Sequence, residues 1–183
     1  MAGVLVFGYG NPSRGDDTLG PSLLAALESR YGAGTGIEFL TDFQLQIEHA
    51  LDLTGRSLVL FADAHVSCAP PFEFHRLAGA RDDSYTTHAM SPAAVIQVYS
   101  RLHRESPPPS FLLSIRGYRF GLGEGLSAEA NQNLALALDF CHSLLASPSL
   151  SVWDSFSEGG TDGLQPEPAR APFIPIPQLS PDC

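Results

Sequence analysis

The chain is expected to fold as an α/β three-layer sandwich, with a twisted, mostly parallel sheet of about five strands flanked by helices. Three observations carry that expectation. Strand-like apolar runs alternate with helical patterns from Val4 to Leu145. The run SLVLFA at 57–62 is apolar almost throughout, as in a strand covered on both faces. A glycine-rich loop joins the first strand to the first helix, as in βαβ units.

The first strand is read at 4–8, from the apolar run Val4-Leu5-Val6-Phe7. A helix is predicted over 20–31, where Leu23, Leu27 and Tyr31 recur at helical spacing with Leu24 beside them, and Gly32 stops it. A second strand is read at 37–40, a short helix at 44–53 and a third strand at 57–62. Residues 72–77 alternate in polarity after two prolines and read as an edge strand. Ser91-Pro92 is a helix start, with serine as N-cap and proline at the first helical position. Val95, Tyr99 and Leu102 give that helix its buried face. Pro107 to Pro109 break the chain, 111–115 (FLLSI) forms the last strand, and Ser127 opens a final helix striped by Leu134, Leu138, Cys141 and Leu145. The domain is accordingly placed at 1–147. Residues 148–183 are read as a Pro-rich acidic tail: 151–183 hold six of the fifteen prolines and five acids against one arginine, without sustained periodicity.

The loop GYGNPSRGDDTLG, from Gly8 to Gly20, is the feature most informative about function. It is not a dinucleotide fingerprint, because Ser13 stands where the third glycine belongs. It is not a P-loop either: Gly10 and Gly15 have the spacing, but Asp16 replaces the lysine, and the chain contains no lysine at all. Two adjacent carboxylates repel a polyanion and attract a metal or a cationic group. Capping of the following helix is the structural alternative for either aspartate alone.

Ligands of open α/β sheets gather at the carboxyl ends of the strands. Asp16 and Asp17 follow the first strand, and Asp63 follows the apolar run of the third. His88 lies just before the Ser91-Pro92 helix start, whose dipole favours a neutral, metal-competent imidazole. Two carboxylates and one imidazole make an oxygen/nitrogen site for a divalent transition metal with positions left open. A turn cap (Asp63) and a surface loop histidine (His88) are the structural alternatives for these residues taken singly. The chain has no H-E-x-x-H and no G-x-S-x-G motif. Cys68, Cys141 and Cys183 have no metal or disulfide spacing.

The string Gly8-x-Gly10-Asn11-Pro12-x-Arg14-Gly15-Asp16-Asp17-x-x-Gly20, the Asp63-Ala64 pair, His88 and Gly125-Leu126-Ser127 resemble the hydrogenase maturation proteases. These endopeptidases trim the C-terminus of a nickel-iron hydrogenase large subunit. The resemblance runs over about residues 3–147. It implies that Asp17, Asp63 and His88 bind the metal and carry the reaction, and that the metal is nickel supplied by the substrate. The enzyme is then expected to hold no tightly bound metal of its own. Asp16 is expected as a partner behind the metal ligands or as a general base. The family's glycine-rich D-G-G segment after the second strand is replaced here by Thr41-Asp42-Phe43-Gln44-Leu45-Gln46. Gln44 and Glu48, four apart on the expected helix, are candidates for substrate recognition, with an exposed polar face as the alternative.

The partner implied is the large-subunit precursor. A net charge of -10 argues against nucleic acid or an anionic membrane. No apolar run reaches membrane-span length, no secretory signal is visible and the three cysteines are scattered, so a cytoplasmic protein is expected; it is also expected to be a monomer. A non-catalytic accessory protein that binds the metal or the precursor is the alternative function. A nucleotide-binding domain and a zinc metallopeptidase are further rivals.

Overall fold

The computed structural model describes residues 3–32, 34–77 and 90–158. Five strands form one sheet: β1 Val4–Tyr9, β2 Ile37–Asp42, β3 Leu58–His65, β4 Phe72–Arg76 and β5 Ser110–Arg116, in the spatial order β2-β1-β3-β5-β4. The first four in that order run parallel, and β4 closes the edge antiparallel to β5. The helices are α1 Leu19–Tyr31, α2 Pro92–His103, α3 Ala128–Ala146 and α4 Leu150–Glu158, with 3-10 turns at Gly15–Thr18 and Ile47–Leu53.

Strand alternation divides the core into two layers. Val4 and Val6 of β1, with Leu58, Leu60 and Ala62 of β3, pack toward α1, α3 and Trp153 of α4. Leu5, Phe7, Val59 and Phe61 pack on the other face against Ala50, Leu53, Val95, Ile96 and Tyr99, from the second 3-10 turn and α2. Both faces of β1 and β3 are therefore covered, which is why their central residues are apolar without a break. The three-layer architecture is the one the sequence implies. Both serine caps hold as well: Ser91 Oγ accepts from Ala94 N–H, and Ser127 Oγ from Ala130 N–H, each at 3.2 Å.

Two expectations need correction. The helix read at 44–53 is a 3-10 turn confined to Ile47–Leu53, capped by a reciprocal pair between Gln46 and His49. Gln44 lies in the bend before it, so Gln44 and Glu48 do not share a helix face, although both side chains are exposed. The tail placed from residue 148 opens with α4. Trp153 is fully buried there, with its ring 5.2 Å from Phe111 and its indole N–H donating to Leu144 O at 3.1 Å. Arg76 on β4 adds an ion pair to Asp154 at 2.8 Å. The folded unit thus extends at least to Glu158. The rest of the tail, 159–183, lies outside the described residues.

Candidate active site

The site is built where β1, β2 and β3 end. Gly20, in the first turn of α1, presses against these ends: a Cβ there would stand 2.4 Å from Tyr9 O and 2.7 Å from Ala62 O. Only glycine lets the helix come that close. Gly10 has φ +144°, and a Cβ on it would stand 1.9 Å from Asp17 O. The glycine pattern of the loop therefore serves close backbone approach, which brings the acidic turn back over the strand ends.

The two adjacent aspartates of that turn part company. Asp16 has no solvent exposure. Its carboxylate accepts from Tyr118 N–H at 2.7 Å, Arg119 N–H at 2.9 Å, Ser127 N–H at 2.7 Å and Ser127 Oγ–H at 2.7 Å. Burial opposes its ionisation. The bonds from Ser127, Tyr118 and Arg119 outweigh that and hold it below the usual carboxylate range. A carboxylate saturated in this way does not take up protons at neutral pH. It latches the acidic turn to the loop after β5 and to the start of α3. The backbone adds Asp16 N–H to Arg119 O at 2.7 Å and Gly15 N–H to Glu124 O at 3.1 Å. The expectation of Asp16 as a general base is corrected on this geometry.

Asp17 is only half-buried and accepts from Asn11 N–H at 2.9 Å. Asp63 lies inside β3 rather than beyond it, because the strand continues through Ala64 and His65, paired with Ile115 and Arg116. Asp63 is pushed up to about 7, chiefly by burial, with the charge of Asp17 adding to the shift. The Tyr9 hydroxyl and the Ala64 N–H oppose it. Asp17, in the turn after β1, and Asp63, near the end of β3, both lie on the carboxyl side of the sheet. His88 lies outside the described residues. Among the described residues, no group of three acids, histidines or cysteines is assembled to hold a metal, and no ion pair within salt-bridge distance involves Asp17 or Asp63.

The sequence reading singled out Gly10 and Asn11 only as parts of the motif string, and the structure shows what they hold. Gly10 N–H donates to Asp42 O at 3.1 Å, and Asn11 N–H holds Asp17 at 2.9 Å. The sequence reading passed over a neighbouring pair: His49 Nε2 stands 3.4 Å from Asp42 Oδ2, while its Nδ1 accepts from Gln46 N–H at 2.9 Å. The His49 ring meets the face of the core edge-on against Phe7, at 4.7 Å. Spacing could have flagged this imidazole, since Gln46 and His49 sit three apart at a helix start.

No protein-family model and no curated protein sequence matches the chain. Solved structures do. The hydrogenase maturating endopeptidase HybD from E. coli superposes with a TM-score of 0.63 at 25% identity, over 79% of this chain and 92% of that one. The solution structure of an endopeptidase from Escherichia coli gives 0.59 at 26% identity, over 78% and 91%. A NiFe hydrogenase maturation protease HycI from Thermococcus kodakarensis shares the fold with a TM-score of 0.62 at 18% identity, over 80% and 94%. The shared sheet and helices run nearly the whole length of these proteins, and the acidic loop at the end of β1 carries the motif first read in the sequence. In fold and in the motif of its acidic loop the chain is thus similar to the hydrogenase maturation endopeptidases.

Proposed function

We propose that this protein is an endopeptidase of hydrogenase maturation, which removes the C-terminal peptide from the nickel-loaded large-subunit precursor of a nickel-iron hydrogenase. The observation that carries the reading is the fold shared with endopeptidases of that kind, with Asp63 near the end of β3 and Asp17 in the turn that the glycine loop brings back over the strand ends. Two carboxylates without a salt-bridging partner among the described residues are arranged to receive a cation from outside. In this reading the cation is the nickel already seated in the precursor, and Asp17, Asp63 and His88 reach it as part of the substrate. Cleavage then follows loading, and the protein needs no resident metal.

The geometry divides the labour. Asp17, half-buried and singly held, is the accessible carboxylate. Asp63 is the more buried carboxylate, and in this reading the nickel or a carboxylate beside it activates the attacking water. Asp16 holds the loop and takes no part in proton transfer. Gln44 and Glu48 are exposed and remain candidates to meet the precursor. The acidic loop and the net charge of -10 speak against a nucleotide or nucleic acid. No helix among the described residues is long and apolar enough to cross a membrane, in keeping with a cytoplasmic site of action.

The test is incubation of the purified protein with large-subunit precursor, with and without loaded nickel, read by mass spectrometry. A short C-terminal peptide released only from the loaded form is the expected result, and Asp63→Ala or His88→Ala should abolish it. Tight binding of the loaded precursor with no release would instead assign the non-catalytic accessory role.

A further inference from the structure

Four of the large apolar side chains that stay exposed among the described residues lie at the carboxyl edge of the sheet. Phe43 (67% exposed) follows Asp42 at the end of β2, and Val66 (63%) follows His65 at the end of β3. Tyr118 (45%) and Leu122 (80%) lie in the loop after β5. At the end of β1, between β2 and β3, stands the acidic turn. The acids thus occupy the middle of this edge, with apolar side chains to either side. Single exposed apolar residues are ordinary on a protein surface, but one after each of the other three parallel strands is a patterned surface. The loops that carry them are also held. Tyr118 N–H donates to the Asp16 carboxylate at 2.7 Å, its hydroxyl oxygen accepts from Asn133 Nδ2 at 3.3 Å, and the Arg116 guanidinium lies 5.3 Å from its ring. The turn carrying Leu122 is tied to the acidic loop by Gly123 N–H to Ser13 O at 2.7 Å and by Gly15 N–H to Glu124 O at 3.1 Å. Phe43 follows directly on Asp42, whose carbonyl accepts from Gly10 of that same loop at 3.1 Å. Gly117 N–H donates to His65 O at 3.0 Å, which keeps Val66 beside the loop of Tyr118.

We propose that Phe43, Val66, Tyr118 and Leu122 form a docking surface for an extended segment of the large-subunit precursor, apolar on the face that it turns to this edge. The inference rests on the reading of the carboxyl edge as the peptidase site. A chain that brings its metal to Asp17 and Asp63 comes down on this edge, and these side chains stand beside its path. Scale agrees. In the order β2-β1-β3-β5, strands about 4.8 Å apart put about 14 Å between β2 and β5, which about four residues of extended chain cover. One short segment therefore reaches Phe43 on one side and Tyr118 with Leu122 on the other, with the acids beneath its middle. Charge points the same way. The protein carries a net charge of -10 and the acidic loop repels an acidic segment, so attraction at this edge comes from apolar contact and from the metal that the segment carries. Side chains already held in place lose little freedom when a partner lands on them, so more of the contact energy appears as affinity.

The test measures binding of nickel-loaded precursor by calorimetry, and its cleavage by mass spectrometry, for wild type, Phe43→Ser, Leu122→Ser, the double variant and Leu102→Ser. Leu102 is the control: it is 60% exposed, but it lies in the last turn of α2, from which the chain enters the opposite, amino end of β5. Phe43→Ser and Leu122→Ser are each expected to weaken binding about five- to tenfold, and the double variant about 50-fold, with the loss falling on KM and the Tm unchanged. Leu102→Ser is expected to bind like wild type. A double variant that binds like wild type, or a Leu102→Ser variant weakened as much, overturns the inference. If wild type cleaves the precursor while the double variant still binds like wild type, the peptidase reading stands and the docking surface alone falls. If binding weakens as expected but no peptide is ever released, the docking surface stands and the peptidase reading falls. Wild type that binds no precursor overturns the inference, and a self-association in sedimentation that the double variant abolishes would then assign the surface to a second copy of the chain.

Discussion

Asp16 and Asp63 are both carboxylates withdrawn from water in one small molecule, and they respond in opposite directions. Asp16 lies under two loops and receives four hydrogen bonds, three from backbone N–H groups and one from a serine hydroxyl. It stays ionised below the usual range. Asp63 lies at the end of a buried strand, has a phenol and one N–H in its favour, faces a second carboxylate, and is pushed up to about 7. The difference is one of donor supply, not of burial. Where donors saturate the charge, a buried carboxylate is a structural bond. Where they fall short, it becomes a group that trades protons near neutral pH and welcomes an incoming cation.

The largest way to break the contrast is Asp16→Asn. An amide keeps the shape but has one acceptor oxygen, and its NH2 group points at N–H groups that it cannot satisfy. Buried donors left without a partner, together with the loss of charge-assisted bonds, predict a loss of about 4 kcal/mol, read as a lowered denaturation midpoint at pH 7. If the midpoint stayed unmoved, Asp16 would not be the latch. The same saturation sets the sign of its pH dependence. Its stabilisation is present above the unfolded carboxyl range and is lost as the pH falls through its lowered native value.

Asp63→Asn probes the other side and should stabilise. An unfolded aspartate titrates near 3.8, and native Asp63 is pushed up to about 7. Between those values the native state binds the extra proton, so this group makes stability fall as the pH rises from about 4 to about 7. Three units at about 1.4 kcal/mol each, roughly halved because the carboxylate keeps some solvent contact, give about 2 kcal/mol. The asparagine variant is expected to exceed wild type by that amount at pH 8 and to match it at pH 4, in paired denaturant titrations. An equal margin at both pH values would mean that Asp63 does not titrate in this range. A more stable protein with lost cleavage is the expected signature of a site residue kept for function.

The sequence made one of these carboxylates legible and hid the other. Asp63 announces itself because it is the first charge after SLVLFA, and an acid in that place stands at the carboxyl end of a central strand. Asp16 and Asp17 are adjacent and chemically identical. What separates them is contact with Tyr118, Arg119 and Ser127, more than a hundred residues on, and no local pattern encodes that. The alternation of strands and helices was readable because each element carries its own periodicity. The 3-10 turn at Ile47–Leu53 was not, since an apolar repeat of seven residues fits either helix. The last helix was masked by the prolines and acids that follow it, although Trp153 packs edge-on against the stacked rings of Phe74 and Phe111.

Ser127→Ala is the smallest and sharpest test, because Ser127 belongs to both the latch and a helix cap. Its hydroxyl accepts from Ala130 N–H at 3.2 Å, closing the first turn of α3, and donates to Asp16 Oδ2 at 2.7 Å. Its own N–H, also bound to Asp16 at 2.7 Å, survives the substitution. Loss of a serine N-cap costs about 1 kcal/mol, and loss of one hydrogen bond to a charged group adds about as much again, so about 2 kcal/mol is expected in the wild-type background. With Asp16→Asn already in place the second contribution has largely gone, and the serine change should cost only about 1 kcal/mol, the worth of the cap. A double-mutant cycle in denaturant therefore measures how much of the cap energy passes through the carboxylate. Strict additivity would show that the helix start and the acidic turn are stabilised independently, and that α3 does not help to hold Asp17 in place beside Asp63.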